Sequence, residues 1–226
     1  MPAAGIGARS GAVGPKQYAD VAGAPLVAHT VKAFLATPGL SRLCVVIAPQ
    51  DQAWPVNEDR LEVLRIGGDT RAASVLAGLR HLRDTGAQAD DWVMVHDAAR
   101  CLVTPADIQR LVDRCLSEGV GGLLALPLPD TLKQADDQGR VRATLERANK
   151  WLAQTPQMFK LGELIDALSG DLTGVTDEAS AMERQGLAPM LVQGSAMNIK
   201  VTYPTDFALA QAVLSSRSLA ASGEQA

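Results

Sequence analysis

The chain has 226 residues, 47% of them hydrophobic and 20% charged, which is enough for one substantial core and reads as a single domain over 1–226. A net charge of -4 leaves no basic excess for a nucleic-acid or membrane binder, so any anion site must be local. Three cysteines without a CxxC pair suit a reducing, cytoplasmic setting, scattered histidines argue against a zinc site, and no long apolar run suggests a membrane span.

The chain opens on PAAGIGARSGAVGPKQY, from Pro2 to Tyr18. APLVAHTVKAFLAT then places Leu26, Val27, Val31, Phe34 and Leu35 on one helical face. RLCVVIAP (42–49) and LEVLRI (61–66) read as buried strands, followed by a helix with Val75, Leu76, Leu79 and Leu82 on one side. DWVMVHD (91–97) is a third strand. The next helix has Thr104 as N-cap, Pro105 at its first position and Gly119 at its end, and GGLLALP (121–127) is a fourth strand. The polar stretch 129–150, with a turn at DDQG, breaks the rhythm and reads as a projecting β-hairpin arm. Helices near 161–168 and 176–186, strands near 190–193 and 198–202, and a helix from Pro204 follow; the tail 217–226 is expected to fray. This alternation predicts an α/β fold, a Rossmann-like, doubly wound, mostly parallel sheet.

Gly5 and Gly7 let the backbone turn sharply against a ligand and aim amides at phosphate oxygens, while Arg9 and Lys16 supply cations. The stretch matches neither the Walker pattern nor the dinucleotide fingerprint. Two cations beside a glycine turn suit a triphosphate under attack at one phosphorus, although a surface loop with incidental basic residues reads equally well from these residues alone. GGDTRAASVLAGL (67–79), VHDAAR (95–100), DTLK (130–133), QTPQ (154–157), TDEAS (176–180) and NIKVT (198–202) then follow in order, several at strand ends, where ligands of α/β sheets lie.

With these strings, from Pro2 to about Ala210, the chain resembles the 2-C-methyl-D-erythritol 4-phosphate cytidylyltransferases of the non-mevalonate isoprenoid pathway. The resemblance implies a nucleotidyltransferase fold whose arm clasps a second subunit, a homodimer, the substrates CTP and a polyol phosphate, and Mg2+. It implies that Arg9, Lys16, Arg147 and Lys200 are catalytic, and that Pro2, Ala3, Ala4, Gly5, Gly7, Gly68, Asp69, Ser74 and Ala98 cradle the nucleotide. Arg100, Thr131, Arg147, Thr155 and Lys200 match the polyol-phosphate site, with Arg147 serving the neighbouring subunit, and Asp97 matches a Mg2+ ligand. His96 reads as a packing residue, Asp177 as a helix-start residue, and Trp92 and Trp151 as core or arm anchors.

Two departures stand out. Cys101 replaces the usual proline after HDAAR, which reads as a tolerated change. Family members carry an apolar strand directly before PAAG, so the first strand looks truncated here. The natural protein is expected to begin several residues upstream in a Val/Ile/Leu-rich segment, without which the centre of the sheet would hold a slot. A ribitol 5-phosphate cytidylyltransferase and a nucleotide-binding module without chemistry are the alternative readings.

Overall fold

The computed structural model describes residues 1–5 and 14–223. A single 3-10 turn, Lys16–Tyr18, leads into two-residue strands β1 (Asp20–Val21) and β2 (Ala24–Pro25), which pair antiparallel. Helix α1 (Leu26–Leu35) buries Leu26, Val27, Thr30, Val31 and Phe34, the face set by the three-and-four spacing of its apolar residues. Strands β3 (Leu43–Val46) and β4 (Leu61–Leu64) pair in parallel. Helix α2 (Arg71–Asp84) starts where the Thr70 side chain accepts the Ala73 amide at 3.0 Å. After β5 (Trp92–Val95), helix α3 (Pro105–Glu118) has a reciprocal Thr104–Asp107 capping box, proline in its first turn, and Gly119 at φ 68° closing it in the left-handed region, as its sequence predicts.

Strand β6 (Gly122–Pro127) precedes a separate antiparallel hairpin, β7 (Leu132–Ala135) and β8 (Val141–Leu145), whose residues are almost all exposed. Its turn is held by Asp136, whose Oδ1 accepts the amides of Gln138 and Arg140 at 3.0 and 2.8 Å. Strand β9 (Trp151–Lys160) runs antiparallel to both β5 and β6. Helices α4 (Leu161–Ser169) and α5 (Glu178–Arg184), strand β10 (Met190–Gln193), parallel to β6, and helix α6 (Pro204–Gly223) complete the order.

The α/β reading holds, with three corrections. The sheet is mixed, not mostly parallel, because β9 inserts antiparallel between β5 and β6. Its sequence, WLAQTPQMFK, conceals a strand because Gln154, Thr155 and Gln157 are polar yet buried, each satisfied by a distant partner. Residues 198–202 form no strand: a single backbone bond, from Val201 N to Ala99 O at 2.9 Å, docks them. The last helix continues to Gly223, through most of the segment expected to fray.

Apart from the β1–β2 and β7–β8 pairs, the strands fall into two groups, β4–β3 and β10–β6–β9–β5. Between β3 and β5 lies an apolar cavity of about 590 Å3, lined among others by Phe34, Leu43, Val46, Leu79, Met94 and Val95. Only its end is filled: Met1–Ala3 run beside β3, with Val46 N donating to Met1 O at 2.9 Å and Ala3 N to Val46 O at 2.8 Å. Pro2 bridges Val46 in parallel. The slot lies on the line of the Pro2 stretch, between β3 and β5. Cys101 is 2% exposed and packs with Val21, Leu26, Leu102 and Val201, so it occupies a core position in place of the expected proline.

Candidate active site

Close backbone approach builds the floor of the site. A Cβ on Gly67 would lie 2.6 Å from the Ala4 Cβ and 2.7 Å from the Ile47 carbonyl oxygen, and one on Gly68 would lie 2.7 Å from the Ala73 Cβ. Glycine at 67 lets the loop before α2 press against Ala4, and glycine at 68 lets it fold back onto the first turn of α2. Gln17 Nε2 donates to Ala3 O at 2.6 Å and ties that stretch to the 3-10 turn carrying Lys16.

The result is a pocket of about 220 Å3 lined by most of the residues expected to cradle the nucleotide, Pro2, Ala3, Ala4, Gly5, Gly68, Asp69, Ser74 and Ala98, together with Lys16 and Lys200, expected to be catalytic, and Asp97, expected to hold Mg2+. Lys16 Nζ donates to Val201 O at 2.7 Å, so the opening stretch and the NIKVT segment meet here. Gly7 and Arg9 lie outside the described residues. Gln17, Thr70, Arg71 and Ala99 also line the pocket and were not singled out as site residues. For Arg71 a signal existed: a cation in the first turn of α2 opposes the helix dipole, which implies a tertiary anion nearby.

That anion is Asp97. At the end of β5 and 8% exposed, it accepts Arg71 Nε on Oδ1 at 2.8 Å and Lys200 Nζ on Oδ2 at 2.7 Å. Burial by itself would raise its pKa, but the Arg71 and Lys200 charges overturn that and hold the carboxyl well below the usual carboxylate range. Arg71 in turn places its two terminal nitrogens on Glu178, at 2.7 and 2.9 Å. Glu178 is 1% exposed, and burial pushes its carboxyl pKa up against the pull of Arg71. Its neighbour Asp177 is the N-cap of α5, accepting the Ser180 amide at 2.9 Å, as expected.

The remaining expected residues divide. Ser74 lines the pocket, yet its hydroxyl braces the loop, accepting from Gly68 N at 3.1 Å and lying 3.1 Å from Thr70 O. Thr155 was expected at the polyol phosphate; its hydroxyl instead faces inward, accepting the Asp97 amide at 3.1 Å and contacting His96 Nδ1 at 3.0 Å. Arg100 does not line the pocket, and its terminal nitrogens donate to Asn198 O at 2.7 Å and Ala153 O at 3.4 Å. Thr131 and Arg147 belong to the hairpin region, where Arg147 donates to the Pro129 carbonyl, and neither reaches the pocket within this chain.

His96 is the packing residue its sequence context suggested. Burial lowers its pKa from 6.5 to about 3, so it is neutral in the fold. Its Nε2 faces the Arg100 carbonyl at 3.2 Å, which can only accept, so the ring proton sits there and Nδ1 accepts from Thr155. This has a pH consequence. As pH falls from about 6.5 toward 3, the unfolded chain takes up a proton at His96 that the folded chain refuses, so stability present above this window is lost across it, by up to about 1.4 kcal/mol per pH unit. Thermal unfolding of the native chain should therefore fall more steeply between about pH 6.5 and 4.5 than that of His96→Gln. Parallel pH profiles in the two proteins would refute the assignment.

A glycine-floored pocket at the strand ends of an α/β sheet, with lysines arriving from both ends of the chain, defines a nucleotide-handling transferase. Residues 1–216 match the family model IspD, 2-C-methyl-D-erythritol 4-phosphate cytidylyltransferase. The curated enzyme of that name from Laribacter hongkongensis is 56% identical over 220 residues, covering 95% of this chain and 94% of that protein. The bifunctional enzyme IspD/IspF of Albidiferax ferrireducens is 58% identical over 228 residues, and this chain spans 54% of its length. The crystal structure of the Francisella tularensis enzyme superposes with a TM-score of 0.78 at 38% identity, covering 92% of this chain and 95% of that one. The chain belongs to the 2-C-methyl-D-erythritol 4-phosphate cytidylyltransferase family.

Proposed function

We propose that this chain transfers a cytidylyl group from CTP to 2-C-methyl-D-erythritol 4-phosphate, giving 4-diphosphocytidyl-2-C-methyl-D-erythritol and pyrophosphate. The observation that carries this reading is the convergence of Lys16 and Lys200 on one pocket with the Pro2–Gly5 stretch and Gly68–Asp69. A phosphate oxygen of the polyol attacks the α-phosphorus of CTP in line, the bond to the bridging oxygen breaks, and pyrophosphate leaves with the electron pair. A phosphate dianion is nucleophilic at neutral pH, so no base is required, and His96, neutral and buried, offers none. Catalysis is positioning plus neutralisation of charge. Lys16 meets the triphosphate and Lys200 the attacking phosphate, while Asp97 holds the Lys200 ammonium in place.

Among the described residues, no cluster of three or more His, Cys, Asp or Glu side chains could hold a metal ion. Mg2+ binds through one or two carboxylates, water and substrate phosphates, and although each Asp97 oxygen is already ion-paired, Oδ1 with Arg71 and Oδ2 with Lys200, each keeps a lone pair that such an ion could use. Asp97 would hold the ion, which supplies charge neutralisation at the triphosphate. The exposed β7–β8 hairpin supports the proposal that the arm embraces a second copy and carries Arg147 to its partner's polyol phosphate, with Thr131 and Arg100 beside it. All three cysteines are free and buried, which supports a reducing, cytoplasmic setting. Among the described residues no helix is long and apolar enough to cross a membrane.

The test is pyrophosphate release from CTP with 2-C-methyl-D-erythritol 4-phosphate, with ribitol 5-phosphate in parallel. Release with the first and little with the second is expected; the reverse preference, or CTP binding without release, would replace this reading. In the same assay, mixing Arg147→Ala chains with Lys16→Ala chains should restore activity, because one hybrid site keeps both residues. No recovery in demonstrated mixed dimers would remove Arg147 from the partner's site.

A further inference from the structure

We propose that Glu178 is a positioning residue for the transfer, fixing the Lys200 ammonium through Arg71 and Asp97; this rests on the reading in which Lys200 meets the attacking phosphate. The four side chains form one line of alternating charge. Glu178 accepts both terminal nitrogens of Arg71 at 2.7 and 2.9 Å, Arg71 Nε donates to Asp97 Oδ1 at 2.8 Å, and Lys200 Nζ donates to Asp97 Oδ2 at 2.7 Å. Arg71, Asp97 and Lys200 line the pocket; Glu178 does not, and acts from behind it.

Geometry makes Glu178 decisive. A guanidinium has one end-on edge, Nη1 with Nη2, and that edge can grip only one carboxylate at a time. With the fork taken by Glu178, Arg71 has Nε left for Asp97, so it occupies a single oxygen and leaves Oδ2 to Lys200. Remove the Glu178 charge and Asp97 becomes the one anion bonded to Arg71. The fork can then close on both Asp97 oxygens, competing with Lys200, or swing toward the triphosphate.

Glu178 is itself rigidly placed. It begins α5, whose start is set by the Asp177–Ser180 capping box, and Gln157 of β9 accepts the next amide, Ala179 N, at 2.7 Å. A carboxylate only 1% exposed, kept at the cost of desolvation and gripped at both oxygens by a pocket arginine, is where a link between helix packing and site geometry would be built. A purely structural ion pair between α2 and α5 is the competing account, and the two differ in what they do to turnover.

The experiment is a double-mutant cycle on Glu178→Gln and Lys200→Ala, with kcat and KM for CTP measured well below each variant's unfolding temperature. Glu178→Gln is expected to lower kcat about tenfold or more with KM for CTP moving less than about threefold, and to add less than about twofold to the loss already present in Lys200→Ala. Losses that multiply while Lys200→Ala alone is slow would overturn the link and leave the role of Lys200 standing. An unimpaired Lys200→Ala would overturn both. Glu178→Gln with a lower melting temperature but native kcat would establish the structural account and overturn the proposal. Should Glu178→Gln not fold, Arg71→Lys reads the same link from the other side: it keeps the cation, loses the fork, and should be equally silent on a Lys200→Ala background.

Discussion

A chain extended in front of Met1 by a Val/Ile/Leu-rich segment of about five residues should unfold at a temperature about 5–10 °C higher than the 226-residue chain. The reason is the apolar cavity of about 590 Å3 between β3 and β5. Among the described residues the edge of β3 away from β4 is paired only by Met1–Ala3, and β5 pairs only with β9. An added strand would bond to both edges and bury side chains on both faces. Each aliphatic side chain contributes about 2 kcal/mol and ordering each residue costs about 1.5 kcal/mol, leaving about 2–3 kcal/mol over five residues. At about 2–4 °C per kcal/mol for a domain of this size, that gives the stated shift.

The Met1 ammonium adds a second contribution. It is buried beside the Cys44 carbonyl, to which it donates at 2.7 Å, and burial lowers its pKa to about 6. In an extended chain the same nitrogen becomes a neutral amide in the same ladder position, and the desolvation penalty disappears. A Gly/Ser segment of equal length separates the two effects, since it removes the charge without offering apolar side chains. Equal melting curves for the apolar and Gly/Ser extensions would mean that the cavity does not accept a strand.

The second large effect concerns chemistry. Lys16→Ala should reduce kcat by about 100-fold to 1000-fold, about 3–4 kcal/mol, the loss associated with removing one preorganised electrostatic group. Its KM for CTP should change less, because Gly68, Asp69 and the Pro2–Gly5 stretch still line the pocket. Lys16 follows Pro15, and its Nζ is held at 2.7 Å from Val201 O, so its charge is directed before substrate arrives. Pyrophosphate release at saturating CTP measures the loss. A variant with nearly native turnover would show that neutralisation at the α-phosphorus comes from elsewhere.

Helix starts and stops were legible in the sequence because they are set within one turn of chain: Thr104, Pro105 and Gly119 bound α3, and Asp177 caps α5. The apolar face of α1 followed from spacing alone. The pocket's floor was legible for a related reason, since the glycines of GGDTR and the small residues of PAAG mark where backbone segments approach one another closely. The ordered motif strings carried the family.

Tertiary structure decided what depends on partners far apart in the chain. Strand β9 lies between β5 and β6 because buried partners satisfy its polar side chains: Gln157 Nε2 donates to Asp177 Oδ2 at 2.8 Å and Thr155 contacts His96. The inward turn of the Thr155 hydroxyl and the choice of Glu178, 107 residues away, as a partner of Arg71 have no local signature. A sequence states which groups can donate, accept or carry charge; the order of strands selects which of them meet, and burial then makes each unmatched polar group too costly to keep.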